Sequence, residues 1–181
     1  ENLNLVLNFG VFLNQKNILK FYHNSFLGDR NFSGGLFLEG NDRYEAENSR
    51  SLLEWQFKNG KIRSIFRFAQ VFEFYRYFLN KNYTDFSFGK TNEWIGQYNF
   101  QYEFSEDIKI DALAEYSSTD GTGSNVEEVS RNVFSGVLLL SHQIGKNFNY
   151  GIQLRQELAN DYESPLLFSV DGNFSVIDIT G

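Results

Sequence analysis

The chain has no cysteine, no methionine and a single proline, Pro165. Without cysteine there is no disulfide framework, no thiolate metal site and no thiol nucleophile. With neither a start methionine nor a signal peptide, it is expected to be a processed product or a fragment of a longer protein. No segment approaches the roughly 20 consecutive apolar residues of a membrane-crossing helix. The longest apolar run is Val137-Leu138-Leu139-Leu140. Positive charge is also short: the net charge is −7, which argues against a nucleic-acid partner, since that would need a basic face.

Aromatic residues are abundant instead, at 18% of the chain with 20 Phe and 10 Tyr. That exceeds the needs of an ordinary soluble core. The mean hydropathy of −0.39 would suggest solubility. Transmembrane strands, however, alternate apolar and polar residues and average to a mildly polar value.

Alternation is the dominant pattern, and helical periodicity is nearly absent. Leu3, Leu5, Leu7, Phe9, Val11 and Leu13 share one face of a first strand, followed by a polar turn at Asn14–Asn17. A second strand is expected over Ile18–Phe26, then a long polar connection over Leu27–Asn48. A third places Leu53, Trp55 and Phe57 opposite Arg50, Glu54, Gln56 and Lys58, and Asn59-Gly60 predicts a two-residue hairpin. A fourth carries Ile62, Phe66, Phe68 and Phe72 against Arg63 and Arg67, before a connection over Glu73–Thr91. The fifth sets Trp94, Tyr98, Phe100, Tyr102 and Phe104 against Glu93, Gln97, Asn99, Gln101 and Glu103.

After a turn at Ser105-Glu106-Asp107, a sixth strand runs over Ile108–Tyr116, with Lys109, Asp111 and Glu115 on its polar side. A Gly/Ser/Asp-rich loop is expected over Ser117–Arg131. Strands seven (Asn132–His142) and eight (Phe148–Leu158) meet at a short turn near Gly145, and a ninth starts near Leu166.

The fold class predicted from this pattern is all-β: about nine antiparallel strands of a transmembrane β-barrel, in one domain over 1–181. Expected connections alternate short and long, as they do between the periplasmic and extracellular rims of outer-membrane barrels. The apolar faces of strands one, three, four, five, six and eight carry no charge, and strands near ten residues match a tilted bilayer crossing. A soluble up-and-down barrel shares the alternation but fills its interior with the apolar face. The opening within a strand pattern, and the Asp178–Gly181 end without an aromatic-terminated strand, predict a wall segment of something larger.

Three groups of residues are candidates for a site. Asp29, Arg30, Phe32, Asp42, Arg43 and Tyr44 combine charge with aromatics and could contact a ligand at an outer mouth; the plainer reading is loop-to-loop packing. Arg63, Arg67, Glu103, Asp111, Glu115, Arg155 and Glu157 are lumen-facing candidates, as plug contacts, a solute path or a salt-bridge ladder. Asp120, Asn125, Glu127 and Glu128 supply oxygen ligands for calcium, without the spacing of an EF-hand, and the alternative is a solvated loop. His23 and His142 lack partners at metal spacing. Ser141 and His142 point to opposite faces of a strand, so no catalytic pair forms and no enzyme is expected.

The runs Leu19-Lys20-Phe21-Tyr22-His23-Asn24, Asn31-Phe32-Ser33-Gly34-Gly35-Leu36 and Asn48-Ser49-Arg50-Ser51-Leu52-Leu53-Glu54-Trp55 resemble the barrel of TonB-dependent transporters of Bacteroidota-type bacteria. Leu154-Arg155-Gln156-Glu157, Asp161-Tyr162, Ser164-Pro165 and Phe168-Ser169 are similar to a strand–loop–strand of the cobalamin-receptor branch. The resemblance covers most of the chain and would be under half of a family member. It implies an outer-membrane receptor with a barrel of twenty-two strands, plugged by an N-terminal domain. It further implies uptake of a scarce nutrient, cobalamin or a similar chelate, driven by the TonB complex pulling on the plug. Implied partners are outer-membrane lipid, the plug, the TonB complex and a surface lipoprotein. Neither the plug nor the closing strands fall within the sequence, and no copy of the family's acidic calcium cluster is found. The alternative is a self-contained small barrel serving as an adhesin or structural anchor.

Overall fold

A computed structural model of the chain describes residues 1–32 and 40–175. The Ser33–Leu36 portion of the resemblance, the middle of the predicted Leu27–Asn48 connection and the Asp178–Gly181 end lie outside these residues. The nine strands are β1 (Asn2–Asn14), β2 (Asn17–Asn31), β3 (Arg43–Asn59), β4 (Ile62–Phe78) and β5 (Ser87–Glu103), then β6 (Ile108–Gly123), β7 (Val126–Ile144), β8 (Phe148–Ala159) and β9 (Leu167–Phe174). They form one antiparallel sheet in chain order, β1 through β9. The sheet is not closed: β1 pairs only with β2 and β9 only with β8 among the described residues.

The strands and their order follow the alternation in the sequence, but several are longer than it predicts. β2 and β3 extend into the expected Leu27–Asn48 connection, and β4 and β5 reduce the expected Glu73–Thr91 connection to residues 79–86. The expected Ser117–Arg131 loop is a hairpin whose turn is Ser124-Asn125. The short–long alternation therefore breaks at this connection. The cause is chemical: Arg43–Asn48 and Thr119–Val129 carry polar groups on both faces, so hydrophobic periodicity ends while the backbone ladder continues.

The turn after β3 also differs by one residue. Asn59 pairs with Ile62, so the loop is Gly60-Lys61 rather than Asn59-Gly60. Gly60 has a φ of 55°, and no non-glycine residue has a positive φ. Left-handed backbone at the first loop position alone matches a II′-type hairpin, which needs glycine there. Gly145, with a φ of 63°, opens the three-residue connection between β7 and β8.

The register staggers steadily in one direction. A row of partners starting at Asn17 on β2 passes through Phe57, Ser64, Phe100 and Ala112 to Leu138 and Leu154. It arrives six residues above the Ile144–Phe148 pair that ends the β7–β8 hairpin, after six strand steps. With about 3.3 Å per residue and about 4.8 Å between strands, one residue per strand is a tilt of about 35°.

There is almost no core. Phe78 is the one buried hydrophobic residue among the described residues, whereas Leu3, Phe9, Phe68, Phe134 and Phe168 are 44–78% exposed. A single sheet has no second layer to bury them, so their partner must come from outside the described residues.

Candidate functional site

Cross-strand pairing sorts the whole sheet into two faces, because directly opposed residues point the same way. One face collects Leu7, Phe9 and Val11 of β1, Leu19 and Phe21 of β2, and Leu53, Trp55 and Phe57 of β3. It continues through Phe66 and Phe68 of β4, Trp94 and Tyr98 of β5, Leu138 and Leu140 of β7, and Ile152 and Leu154 of β8. Over the lower part of every strand this face carries no Asp, Glu, Lys or Arg.

Five pairs of polar side chains within that band bond to each other. His23 Nδ1 meets Ser51 Oγ at 2.9 Å, and Ser64 Oγ meets Tyr98 Oη at 3.1 Å. Gln70 donates to Asn92 at 2.8 Å, Tyr116 to Asn132 at 3.0 Å, and His142 Nδ1 meets Tyr150 Oη at 3.0 Å. A water-facing surface has no need of such pairing. A face in contact with hydrocarbon does, because an unsatisfied polar group there costs several kcal/mol.

The first charges on this face lie higher, at Asp29, Glu47, Arg76, Lys90 and Asp120. Three of the sequence candidates, Asp29, Arg43 and Asp120, belong to this region. Arg43 grips Asp29 with two bonds, of 2.9 and 2.7 Å, and also pairs with Glu45 at 2.5 Å; Arg76 holds the other Glu45 oxygen at 2.6 Å. The Arg43 hydrogen bond holds the Asp29 carboxyl below the usual carboxylate range. Asp42, just before β3, instead accepts a 2.7 Å bond from Tyr77, which lies on the opposite face.

The opposite face is polar, and it collects all seven lumen-facing candidates: Arg63, Arg67, Glu103, Asp111, Glu115, Arg155 and Glu157. Four of the groups with which they associate align in one register row, Lys20, Glu54, Gln97 and Ser135. Lys20 lies 3.5 Å from Glu54, whose second oxygen accepts from Arg67 at 2.6 Å. Arg67 donates to Gln97 at 2.9 Å, and Gln97 to Glu115 at 2.7 Å. This ladder crosses five strands, β2 to β6, and Glu54 at its centre is only 7% exposed. Asp111 accepts from Gln101 at 2.8 Å and pairs with Lys109, Glu103 lies opposite Lys109, and Arg155 pairs with Glu157.

The outer-mouth candidates split between the faces. Asp29 and Arg43 lie on the side of the apolar band, while Arg30 and Tyr44 are opposed on the polar side. The Arg30 guanidinium sits 5.0 Å from the Tyr44 ring centre and 5.9 Å from that of Phe32. Beside them the sequence reading missed Asn48, Glu73, Tyr75 and Tyr77, which it assigned to connections. The signal was available: Tyr75 and Tyr77 alternate with Phe74 and Phe78, continuing the period of β4.

Of the calcium candidates, Asp120 lies on β6 opposite Ser130, Asn125 in the hairpin turn, and Glu127 and Glu128 on β7. No group of three or more His, Asp or Glu side chains placed to hold a metal occurs among the described residues. No family model matches the chain, and no curated protein matches it.

Proposed function

We propose that this sheet is part of the wall of an outer-membrane β-barrel that serves as a TonB-dependent receptor for a scarce nutrient, cobalamin or a similar chelate. The observation that carries the membrane reading is the charge-free apolar band, continuous over nine strands with no second layer to cover it. The stagger supports it, since a tilt of about 35° falls at the edge of the 35–45° of outer-membrane barrels. Band height agrees too. Trp94 and Tyr102 on β5 are eight residues apart, and Phe104 is two further on. Along an axis tilted by about 35° these separations span about 22–28 Å, against an apolar band of roughly 25 Å.

In this reading the polar face lines the lumen, where its ladder meets a plug, and longer connections at the upper rim face the exterior. Transport proceeds by binding and gated passage rather than by chemistry. The unpaired edges of β1 and β9 support a larger barrel over a self-contained one, because an open, exposed edge is an aggregation template. The resemblance to TonB-dependent transporters is what carries the proposal from barrel to receptor.

Two experiments separate the levels of the proposal. The chain is free of cysteine, so single cysteines can be labelled on intact cells with an impermeant maleimide. Asn125→Cys is expected to react on whole cells and Lys16→Cys only after lysis; equal labelling of both would overturn the topology. Uptake of labelled cobalamin by cells producing the parent protein is expected to require an intact TonB complex. Uptake unchanged by loss of the protein would reject that substrate while leaving the barrel in place.

A further inference from the structure

The hairpin of β6 and β7 outreaches β8, and its two sides differ at the top. On the β5 side it is sealed to its tip: Ser124 N donates to the Phe88 carbonyl at 3.0 Å, and Phe88 N donates to Ser124 Oγ at 2.8 Å. On the β8 side pairing stops at Val133 and Ala159, while β7 runs on up to Val126. Asn160 closes the foot of this notch. Its N–H donates to the Asn132 carbonyl at 3.2 Å, its Oδ1 accepts from Asn132 N at 2.9 Å, and its Nδ2 donates to the Ser130 carbonyl at 3.1 Å. The chain then turns back toward β9, with Glu163 bridging Leu158. Alternate residues of a strand turn both backbone groups to the same neighbour, so Glu128 and Ser130 face the side that Asn132 faces. The Ser130 N–H and both backbone groups of Glu128 therefore meet no strand among the described residues.

An open strand edge is a template for another strand, and its surroundings decide which one. Residues 124–131 are all exposed, Val126 and Val129 included. From Val126 to Ser130 the edge measures about 13 Å, room for a segment of about five residues. Its charge is one-sided. Glu127 and Glu128 on β7 and Asp120 on β6 form no ion pair among the described residues. Arg131, the next cation along β7, is already held by Asp161 at 3.2 Å and lies over the Tyr162 ring. A second copy of the edge, paired antiparallel about its middle, would set Glu128 against Glu128, and like charges directly opposed are unfavourable. Lysine or arginine in an added strand meets Glu127 on one face or Glu128 on the other. We propose that this edge binds an extended, basic peptide segment of another protein, which adds a strand beside Val126–Ser130 through backbone hydrogen bonds.

The edge belongs to the hairpin whether or not the wall belongs to a receptor, so its test is one of binding alone. The full chain in lauryldimethylamine-oxide micelles is titrated into a fluorescein-labelled heptapeptide of alternating lysine and valine, and anisotropy reads the complex. Saturable binding is expected, with slowed hydrogen exchange at the Glu128 and Ser130 amides. Ser130→Pro removes the free N–H and obstructs the edge without touching the β6 ladder, and is expected to weaken binding by about tenfold. Ser130→Ala, which keeps the N–H, is expected to leave it unchanged. Glu128→Gln is expected to weaken it by about threefold at low salt. No binding, binding undiminished in Ser130→Pro, or equal binding of a heptapeptide methylated on every amide would overturn the proposal. Dimerisation of the chain alone, abolished by Ser130→Pro, would overturn it in favour of a second copy.

Discussion

The lower and upper halves of the sheet share one backbone and differ in what their outward face tolerates. Below, that face is mainly aliphatic and aromatic, and five pairs of its polar groups bond to each other. Above, beginning at Asp29, Glu47, Arg76 and Lys90, the same face carries ion pairs ringed by phenylalanine. Arg43 lies 5.5 Å from the Phe78 ring centre, and Arg76 lies 5.6 Å from that of Phe86. No bulge or break marks the boundary on β2 to β5, where every residue remains paired. The change is one of side-chain chemistry, not of fold. On the membrane reading proposed above, a hydrocarbon slab against the lower half and water against the upper half would produce this division.

The sharpest way to break this comparison uses one strand. Ala114 and Thr122 both lie on the outward face of β6, eight residues apart. Arginine at Ala114 enters the middle of the band and is expected to cost about 2–4 kcal/mol. Arginine at Thr122 is expected to cost no more than about 0.5 kcal/mol, as at an ordinary wet surface. Unfolding midpoints of the two variants in urea, followed by the heat-dependent gel shift, measure the difference. Equal costs would remove the boundary.

A second comparison sets the polar ladder against the upper ion pairs. Glu54→Gln leaves Lys20 and Arg67 without their shared anion in a crowded row, with an expected loss of about 1–3 kcal/mol. Asp29→Asn, at a pair whose side chains are 45% and 34% exposed, is expected to cost at most about 1 kcal/mol. The same midpoints distinguish them, and a larger effect at Asp29 would contradict the ranking of the buried ladder above the exposed pair.

How much was legible in the sequence follows the same division. Leu3 to Leu13 and Trp94 to Phe104 announce their strands, because one face is uniformly apolar and the period of two is unbroken. The polar partners were legible as a set, and all seven candidates from Arg63 to Glu157 share a face. Their pairing was not, because Glu54 meets Arg67 and Gln97 meets Glu115 only once four hairpins fix the register. The upper strands were hidden because Arg43–Asn48 gives no apolar face to count. Tyr75 and Tyr77 were hidden with them, since Glu73 to Thr91 reads as a connection when charge and aromatic residues mix.

The smallest expected effect is a pH dependence confined to the upper half. The Asp29 carboxyl is depressed by its hydrogen bond to Arg43, so its contribution is fully present above the unfolded carboxylate value. That contribution disappears as the pH falls through the lowered folded value, below the ordinary range of about 4. Acid titration of the unfolding midpoint is expected to flatten in that window for Asp29→Asn. An identical acid limb in both proteins would show that the pair contributes nothing.

The central claim is that the apolar face meets lipid, and the two tryptophans test it directly. Trp55 and Trp94 are the only ones in the chain, and both lie on that face. Trp55 leans toward the lower rim, donating to Asn17 at 2.9 Å, and Trp94 stacks with Phe68 near the upper border. The decisive measurement is fluorescence of the Trp55→Phe and Trp94→Phe variants in vesicles of phospholipids brominated along the acyl chain. Strong quenching of the remaining tryptophan in both variants is the result predicted. Emission indifferent to bromine, with the chain monodisperse in detergent-free buffer, would contradict it.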